Sequence, residues 1–512
     1  MIAAFAVLAV LAVLVAAPVE VTTTTVAEVR ASPQFQQGVP IAQAATPAGY
    51  GAVLSRTLVD GSDGDLSAQA RLDVDLFAAV DGGPVQSRQN NIQVERLLLR
   101  AVVVEGVTIE LGDSAVQVGR GLALCLRPAA SVGLDSALRG LRLHSTRSDG
   151  ALSVQAFAGV VNPQNTDPLT ETHLNDSNDV VTGIEGNAVT GPVVVGIYGI
   201  VVVPEERLLP AQVDGSGTVG VTLQAPDLGS VLDLGLEVAI QQQVLGGVMT
   251  PGAAAALDLT TRFGSSTLLI EGLWLRSFAQ RGSRTLQGDR LVLAQPPTLE
   301  RADMSVADVD DARAVRAWLQ SEVAGAVVEV TAMGRQNSPE SPAQIDVLHL
   351  FSLVSMALPL TGSRLSVGGG LRDESSAKKS VAGRETETRL VHGDVDVEAP
   401  LWSKAQAHAS AALQVVDAPV VDARFARGNA GVGVDQRVGS IVVGGGLELG
   451  VDGQRSQAVQ HAFAAATGHV DVDSLSVRLV VGDQRGGLRC SGGVCRQVPA
   501  FSGARVEVVA RF

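Results

Sequence analysis

Apolar and polar residues alternate along most of the chain. In the segment 66–76 (LSAQARLDVDL), every even-numbered residue is apolar and every odd-numbered residue is polar. Similar alternation returns at 218–225, 232–241, 405–415 and 443–452. Successive side chains of a β-strand point to opposite faces, so these segments predict strands with one apolar and one more polar face.

The alternating segments are long, and the connections between them are of two kinds. Strands of soluble domains are mostly about 5–6 residues long, whereas a tilted membrane-spanning strand needs roughly 9–11 residues, the length seen here. Short turns such as Asp81–Pro84 and Asp214–Gly217 are mixed with long polar connections such as 162–180, 280–312 and 372–388. This mixture is typical of the two ends of a membrane-spanning β-barrel.

The patterns predict an all-β fold consisting of a single large antiparallel transmembrane β-barrel. At roughly 25 residues for each strand with its connection, residues 66–512 give about 18 strands, within a range of about 16–22. The barrel is expected to be closed by the C-terminal strand, which ends at Phe512. The segment 308–324 (DVDDARAVRAWLQSEVA) departs from the alternation and predicts a short helix. We expect this helix to lie in a loop outside the wall or to fold inward and narrow the lumen.

Composition agrees with a lipid-facing sheet and excludes several other classes of protein. The chain is 46% hydrophobic and 18% charged, with a mean hydropathy of +0.26, so it is not intrinsically disordered. The net charge of −15 argues against a general nucleic-acid binder. A soluble β-sandwich, β-helix or propeller is the alternative, but a sandwich would have shorter strands and a more charged outward face.

The N-terminus has the features of an export signal. Residues 2–17 form one apolar stretch that ends in small residues, which indicates a secretory signal peptide over 1–17. No Lys or Arg precedes the stretch, so a buried or membrane-anchoring helix is the alternative. Residues 18–65 show no sustained period and are expected to be a flexible N-terminal lead-in, with the barrel over 66–512.

The last nine residues, ARVEVVARF, combine an amphipathic pattern with a terminal aromatic residue. Their apolar face includes Val506, Val508, Ala510 and Phe512. A closing strand of this kind resembles the assembly signal of Gram-negative outer-membrane β-barrel proteins. The resemblance implies an outer-membrane location, contact with outer-membrane lipid and recognition by the barrel assembly machinery. A second stretch, 111–143, resembles a segment of some uncharacterised large outer-membrane barrel proteins and implies no activity.

The aromatic content departs from that family's pattern. Such barrels usually carry Trp and Tyr girdles at both membrane interfaces, but this chain has 3 Trp, 2 Tyr and 11 Phe. Several of these residues stand near strand ends and would form a thin girdle: Phe263, Trp274, Phe278, Trp402 and Phe512.

The sequence offers few candidates for chemistry. It contains no HExxH, G-x-S-x-G, P-loop or EF-hand motif, so we expect no catalytic site, no metal site and no cofactor. Cys490 and Cys495 lie in a Gly-rich connection and are expected to form a disulfide after export, with a metal or redox role as the alternative. Cys125 is then the odd cysteine of the three and is expected to act as a small apolar residue.

Function is therefore predicted from architecture. Polar-face residues expected to point into the lumen are Arg71, Asp73, Asp75, Asp233, Glu237, Asp258, Arg262, Arg505 and Glu507. They favour a porin-like channel for small solutes, and the net negative charge favours cations.

The alternative function is a non-conducting surface or structural protein that acts in attachment or in an envelope complex. A gated transporter with a periplasmic partner ranks third, because there is no room for its plug domain before residue 66. An enzymatic barrel ranks fourth.

Overall fold

The computed structural model describes most of the chain. It covers residues 18–30, 50–79, 90–129, 134–166, 178–205, 213–245, 247–278, 281–284, 290–292, 311–337, 344–359, 362–376, 387–402, 404–418, 423–453, 462–491, 494–498 and 501–512. The expected signal peptide at 1–17 lies outside the described residues. Within them, no helix is long and apolar enough to cross a membrane.

Secondary structure in the described residues consists of strands. Their bounds are β1 Val19–Arg30, β2 Tyr50–Asp63, β3 Leu66–Ala79, β4 Asn91–Val104, β5 Val107–Ser114, β6 Val116–Val118, β7 Leu124–Leu126, β8 Pro128–Ala129, β9 Leu134–Thr146, β10 Leu152–Pro163, β11 Val180–Thr190, β12 Val193–Val203, β13 Val213–Leu228, β14 Leu232–Leu245, β15 Val248–Phe263, β16 Ser266–Arg276, β17 Arg281–Arg284, β18 Arg290–Val292, β19 Ala312–Val323, β20 Ala326–Asn337, β21 Ile345–Ala357, β22 Arg364–Ser376, β23 Glu387–Trp402, β24 Ala405–Ala418, β25 Ala423–Val438, β26 Ile441–Asp452, β27 Ala462–Val472, β28 Leu475–Gln484, β29 Gly487–Ser491, β30 Val494–Val498 and β31 Phe501–Arg511.

Twenty-four of these strands form one closed antiparallel barrel. Each wall strand pairs with the wall strands before and after it in the chain. The barrel closes where β1 pairs with β31, in a register that sets Thr22 opposite Arg511 and Val29 opposite Ala504. Closure gives every wall strand two neighbours, which satisfies the backbone hydrogen bonds that lipid cannot. The wall consists of β1–β5, β9–β16, β19–β28 and β31.

The prediction of about 18 strands, within 16–22, is wrong. The barrel has 24 strands because the strand-to-strand unit is shorter than the estimate assumed. At one end of the barrel many connections have only two residues, such as 64–65 between β2 and β3 and 264–265 between β15 and β16. We call this the turn end, and the opposite end, which carries the long connections, the loop end.

Two further expectations are corrected. Residues 18–65 were expected to be a flexible lead-in, but they contain β1 and β2, so the wall begins at Val19. The helix expected at 308–324 is replaced by strand β19, which pairs with β16 and β20. A helix there would leave β16 and β20 each without a backbone partner on the edge that β19 occupies, which is why the sheet overrides the local pattern.

The two faces of the wall differ in exposure and polarity. On β3, Leu72 and Leu76 are 40% and 47% exposed, whereas Arg71, Asp73 and Asp75 on the opposite face are at most 5% exposed. The buried side chains contact residues of strands that are not neighbours of β3, as described below. Contacts between such strands of a closed barrel pass through its interior, so the Arg71 face is the inner face. Apolar side chains such as Leu72 therefore form the outer face.

One piece of chain leaves the wall. Strand β5 stops at Ser114, after eight residues, and the wall resumes with β9, which pairs directly with β5. Between them, β6 and β7 pair as a small antiparallel hairpin with Val116 opposite Leu126 and Val118 opposite Leu124. We call residues 115–126 the inner hairpin.

Candidate functional site

The tip of the inner hairpin is held by carboxylates of distant wall strands. The backbone N–H of Gly119 donates to Glu185 Oε1 on β11 at 3.0 Å, and the N–H of Arg120 donates to Glu237 Oε2 on β14 at 2.8 Å. The Arg120 side chain forms an ion pair with Asp258 on β15. Since the hairpin starts from β5, these contacts place it across the barrel interior.

Glu237 is also held from the wall. Tyr198 on β12 donates its hydroxyl hydrogen to Glu237 Oε1 at 2.7 Å, and both side chains are almost completely buried. Charge-assisted hydrogen bonds of this kind are shorter and stronger than neutral ones. The wall therefore presents a fixed, preorganised acceptor to the hairpin tip.

The underside of the inner hairpin is apolar. Its side chains Val116, Val118, Leu122, Leu124 and Leu126 are 0% exposed. They form one cluster with inner-face residues of the wall: Leu138, Phe157, Val161, Val181, Tyr198, Ile200, Val202, Ala239, Ala254, Ala256, Leu275 and Ala312, together with Phe278 after β16. Burying a side chain of this size contributes about 1.5–3 kcal/mol, so the hairpin is a fixed part of the structure rather than a loose loop.

The turn of the hairpin depends on a glycine. Gly119 has φ = +57°, and a Cβ atom there would lie 2.7 Å from Glu237 Oε1. Positive φ costs non-glycine residues energy, and so does this close approach to a buried carboxylate. Gly119 therefore allows the hairpin tip to lie directly against the wall.

A second cluster lies on the inner face between β2 and β10 and involves three of the residues predicted to face the lumen. Arg71 binds Asp73 through two hydrogen bonds of 2.8 and 2.5 Å, and it also pairs with Asp135 near the start of β9. Asp75 accepts a 2.6 Å hydrogen bond from Thr166 Oγ1, beyond the end of β10. We call this set of contacts, with those of Glu95 described next, the polar cluster.

A β-bulge supplies the remaining charges of the polar cluster. The β3–β4 register pairs Arg71 with Arg96 and Leu72 with Val94, which leaves Glu95 as an extra residue. Such a bulge lets consecutive residues share one face, and both Glu95 and Arg96 are buried. Glu95 accepts hydrogen bonds from Gln93 Nε2 at 2.8 Å and from the Asn165 N–H at 3.1 Å.

Strict alternation does not predict that Glu95 and Arg96 are both buried on one face. The available signal was a break in that alternation, since adjacent charged residues interrupt the apolar positions Ile92, Val94 and Leu97.

The other predicted lumen residues are distributed around the wall. Glu237 and Asp258 contact the inner hairpin, whereas Asp233 pairs with Arg262 close to the turn end, away from it. The remaining two lie on the closing strand. Arg505 Nε donates to the buried Glu28 of β1 at 2.7 Å, and Glu507 lies 4.0 Å from Arg478 of β28. The Arg505–Glu28 pair therefore links the first and last strands of the barrel.

The predicted assembly signal coincides with the closing strand β31. Val506 pairs with Leu479 and Val508 with Val477 on β28. Leu479 is 42% exposed, so this shared face belongs to the outer apolar surface, and Phe512 at the turn end is 78% exposed. Recognition by the assembly machinery remains a prediction.

The expected aromatic girdle is found only in part. Phe263 and Trp402 are 52% and 54% exposed at the turn ends of β15 and β23, and Phe512 after β31 is exposed at the same end of the barrel. Phe278 is fully buried in the cluster under the inner hairpin. The exposed aromatic residues therefore favour the turn end.

The inner face is covered unevenly. Beneath the inner hairpin the wall residues are buried, but on β23, β24 and β26 inner-face residues such as Asp396, Glu398, His408 and Glu448 are exposed. Outer-face residues of the same region, including Leu447 at 60%, are exposed as well. Here the wall has open space on both sides.

The cysteines occupy two different environments. Cys490 and Cys495 are directly opposed backbone partners in the β29–β30 hairpin. Opposed residues of an antiparallel pair have Cα atoms about 4.5–5.5 Å apart, within the range that a disulfide spans. The disulfide stays a prediction, and non-reducing mass spectrometry that found two free thiols there would contradict it. Cys125 in the inner hairpin is buried, and burial raises the pKa of its thiol.

No cluster of three or more His, Cys, Asp or Glu side chains able to hold a metal ion occurs in the described part of the chain.

Solved structures similar to this chain are outer-membrane barrels. The siderophore receptor PirA from Pseudomonas aeruginosa has a TM-score of 0.50 at 8% sequence identity, with 97% of this chain and 80% of that chain covered. The P pilus usher (PapC) translocation pore has a TM-score of 0.46 at 10% identity, with coverages of 96% and 99%. Pseudomonas aeruginosa OccK3 (OpdO) has a TM-score of 0.40 at 12% identity, with coverages of 75% and 96%.

Sequence comparison identifies fewer similar proteins than structural comparison does. A family of unknown function, DUF6029, matches residues 449–512, which include the closing strand and leave out the 111–143 segment. No protein with a curated function matches the chain. Fold and closure together define the class: the chain is a large closed antiparallel β-barrel, with a fold similar to that of outer-membrane β-barrel proteins.

Proposed function

We propose that the protein is a constricted outer-membrane channel for small solutes. The observation that carries the proposal is the uneven coverage of the inner face: the inner hairpin fills one side of the barrel, while Asp396, Glu398, His408 and Glu448 on the other side are exposed. A barrel of more than about 16 strands is wide enough for an aqueous channel unless it is filled. The proposed path therefore runs along β23–β26, opposite the hairpin.

The location belongs to the same proposal. An outer face with exposed apolar residues such as Leu447, Leu449 and Val432, each about 60% exposed, suits contact with lipid. The outer membrane of a Gram-negative bacterium is the membrane in which barrels of this type occur. We propose transport rather than catalysis as the activity, with small solutes as ligands and the barrel assembly machinery as a partner during insertion.

Charge on the exposed inner face favours cations. Asp396, Glu398 and Glu448 on this face are acidic. Rings or patches of carboxylates raise the local concentration of cations in a pore. We therefore expect a cation-preferring conductance.

The test is current recording from the refolded barrel in planar lipid bilayers. We expect stepwise conductance in KCl and, across a KCl gradient, a reversal potential of the sign given by cation preference. The triple variant D396N/E398Q/E448Q should move the reversal potential toward anions. The matched control D149N neutralises an exposed turn-end carboxylate and should leave it unchanged.

If the barrel is folded, as judged by circular dichroism, and gives no conductance, the channel proposal is wrong. That result would favour the non-conducting surface or structural protein instead.

A further inference from the structure

Two buried histidines meet on the inner face outside the site described above. His349 on β21 and His392 on β23 are 1% and 6% exposed. Strand β22 lies between them, and its residue at the crossing point is Gly370. A Cβ atom on Gly370 would lie 2.4 Å from His392 Nε2 and 2.5 Å from the carbonyl oxygen of Leu350. Only glycine leaves the space in which the two imidazoles approach each other across a strand.

The two rings point the same nitrogen at each other. The Nε2 atoms of His349 and His392 are 3.2 Å apart, and the ring centroids are 5.4 Å apart. Two nitrogens bound to one ion at about 2.0–2.1 Å are about 2.9 Å apart at a right angle and about 3.4 Å apart at the tetrahedral angle. The observed separation lies between these values. The same separation fits an N–H···N hydrogen bond, in which one ring holds the proton that an ion would displace.

Surrounding residues hold the rings in place. Phe351 stacks on His392 with an interplanar angle of 11° and a centroid distance of 5.5 Å. In the strand register Met333 and Arg372 flank His349, and Gln414 flanks His392.

Charge next to the pair is balanced. The Arg372 guanidinium donates a 3.2 Å hydrogen bond to Glu374, so its positive charge is compensated within the same strand. Asp394, two residues beyond His392 on the same face, adds a carboxylate to the neighbourhood.

We propose that His349 and His392 form a two-histidine binding site for a borderline divalent transition-metal ion, with Cu²⁺ and Zn²⁺ as the ions of best fit. Imidazole nitrogen suits these ions, and Cu²⁺ is bound most tightly of the divalent first-row ions by a given nitrogen site. Water or a solute supplies the other ligands. A hydrogen on Nε2 of either ring must leave that atom when the ion binds, by transfer to Nδ1 of the same ring or by release, and protonation of the rings competes with the ion, so affinity falls as the pH is lowered. This proposal does not rest on the proposed channel.

The experiment measures metal binding to the refolded full-length barrel in detergent. CuCl₂ and ZnCl₂ are each titrated calorimetrically, and the Cu²⁺ complex is examined by electron paramagnetic resonance. We expect one ion per barrel, and hyperfine couplings from two imidazole nitrogens. The variants H349Q and H392Q should each weaken binding at least tenfold, since even indirect supports of a metal site contribute about ten- to hundredfold. The control H408Q removes an exposed inner-face histidine and should bind as the wild type does.

Each other outcome overturns the proposal. Absence of binding to folded wild-type barrel would show that the pair only shares a proton. Equal binding by wild type and the double variant H349Q/H392Q, or loss of binding in H408Q, would place the ion elsewhere. Circular dichroism and the thermal unfolding midpoint confirm that each variant is folded before its titration is interpreted.

Discussion

The inner hairpin should remain against the wall when one of its buried leucines is shortened, and detach when three are. Its five fully buried side chains contribute about 8–15 kcal/mol as an upper estimate. A buried Leu→Ala change costs about 2–5 kcal/mol. L124A therefore leaves about 3 kcal/mol or more in favour of the docked state, and the detached state is populated below about 1%. The triple variant L122A/L124A/L126A removes roughly the whole free-energy difference between the docked and detached states, so the two states have similar populations.

Single-channel recording in planar bilayers distinguishes these cases. Wild type and L124A should show steady currents of the same size. The triple variant should fluctuate between this current and a larger one, because the detached hairpin no longer narrows the path. Replacing residues 116–126 by a short Gly-Ser linker should give the larger current permanently. The control L447A shortens a leucine of the outer face and should behave as wild type.

Two results would refute the reasoning. If the current through L124A fluctuates as strongly as the current through the triple variant, the hairpin is held by only a few kcal/mol. The stabilisation estimated from burial is then wrong. If the linker variant conducts like wild type, the hairpin does not narrow the path, whatever its stability.

Three further predictions concern single residues. R71M should lower the free energy of unfolding in urea by up to about 3–5 kcal/mol, because it removes the closest ion-pair partner of the buried Asp73 and of Asp135, whereas R147M at an exposed pair should change it by about 0–1 kcal/mol; equal effects would show that burial does not matter. G119A should destabilise the fold by more than G191A does. Both glycines have φ near +60°, but only Gly119 faces a neighbouring side chain. Similar losses of stability in the two variants would assign the destabilisation to backbone strain alone. Cys125 should react slowly with a maleimide at pH 7.5 and faster as the pH rises above 9, because its pKa is raised and the thiolate is the reactive form; rapid reaction at pH 7.5 would mean that the thiol is accessible.

Much of the wall could be predicted from local pattern. Alternation at 66–76 identified β3, its outer leucines and its inner charges Arg71, Asp73 and Asp75. The amphipathic end of the chain identified the closing strand. A period of two is visible in any short window, because successive side chains of a strand point to opposite faces.

The strand number and the first strand could not be predicted in the same way. Residues 19–30 (VEVTTTTVAEVR) include a run of four threonines and show no clear alternation, yet they pair with both β2 and β31. Their place is decided by the need of β2 and β31 for a partner at the seam. The prediction of a helix at 308–324 is wrong for the same reason, because β16 and β20 need a strand between them as a backbone partner.

The sequence by itself determined that the chain forms long two-faced strands and which face of many of them carries charge. Only the tertiary structure decided that 115–126 leaves the wall and crosses the interior, that a bulge turns Glu95 and Arg96 to the same side, and that His349 meets His392 over Gly370. These features depend on register and on contacts between strands that are far apart in the chain. A repeating pattern carries information about the face of a residue, but not about which distant residue lies opposite it.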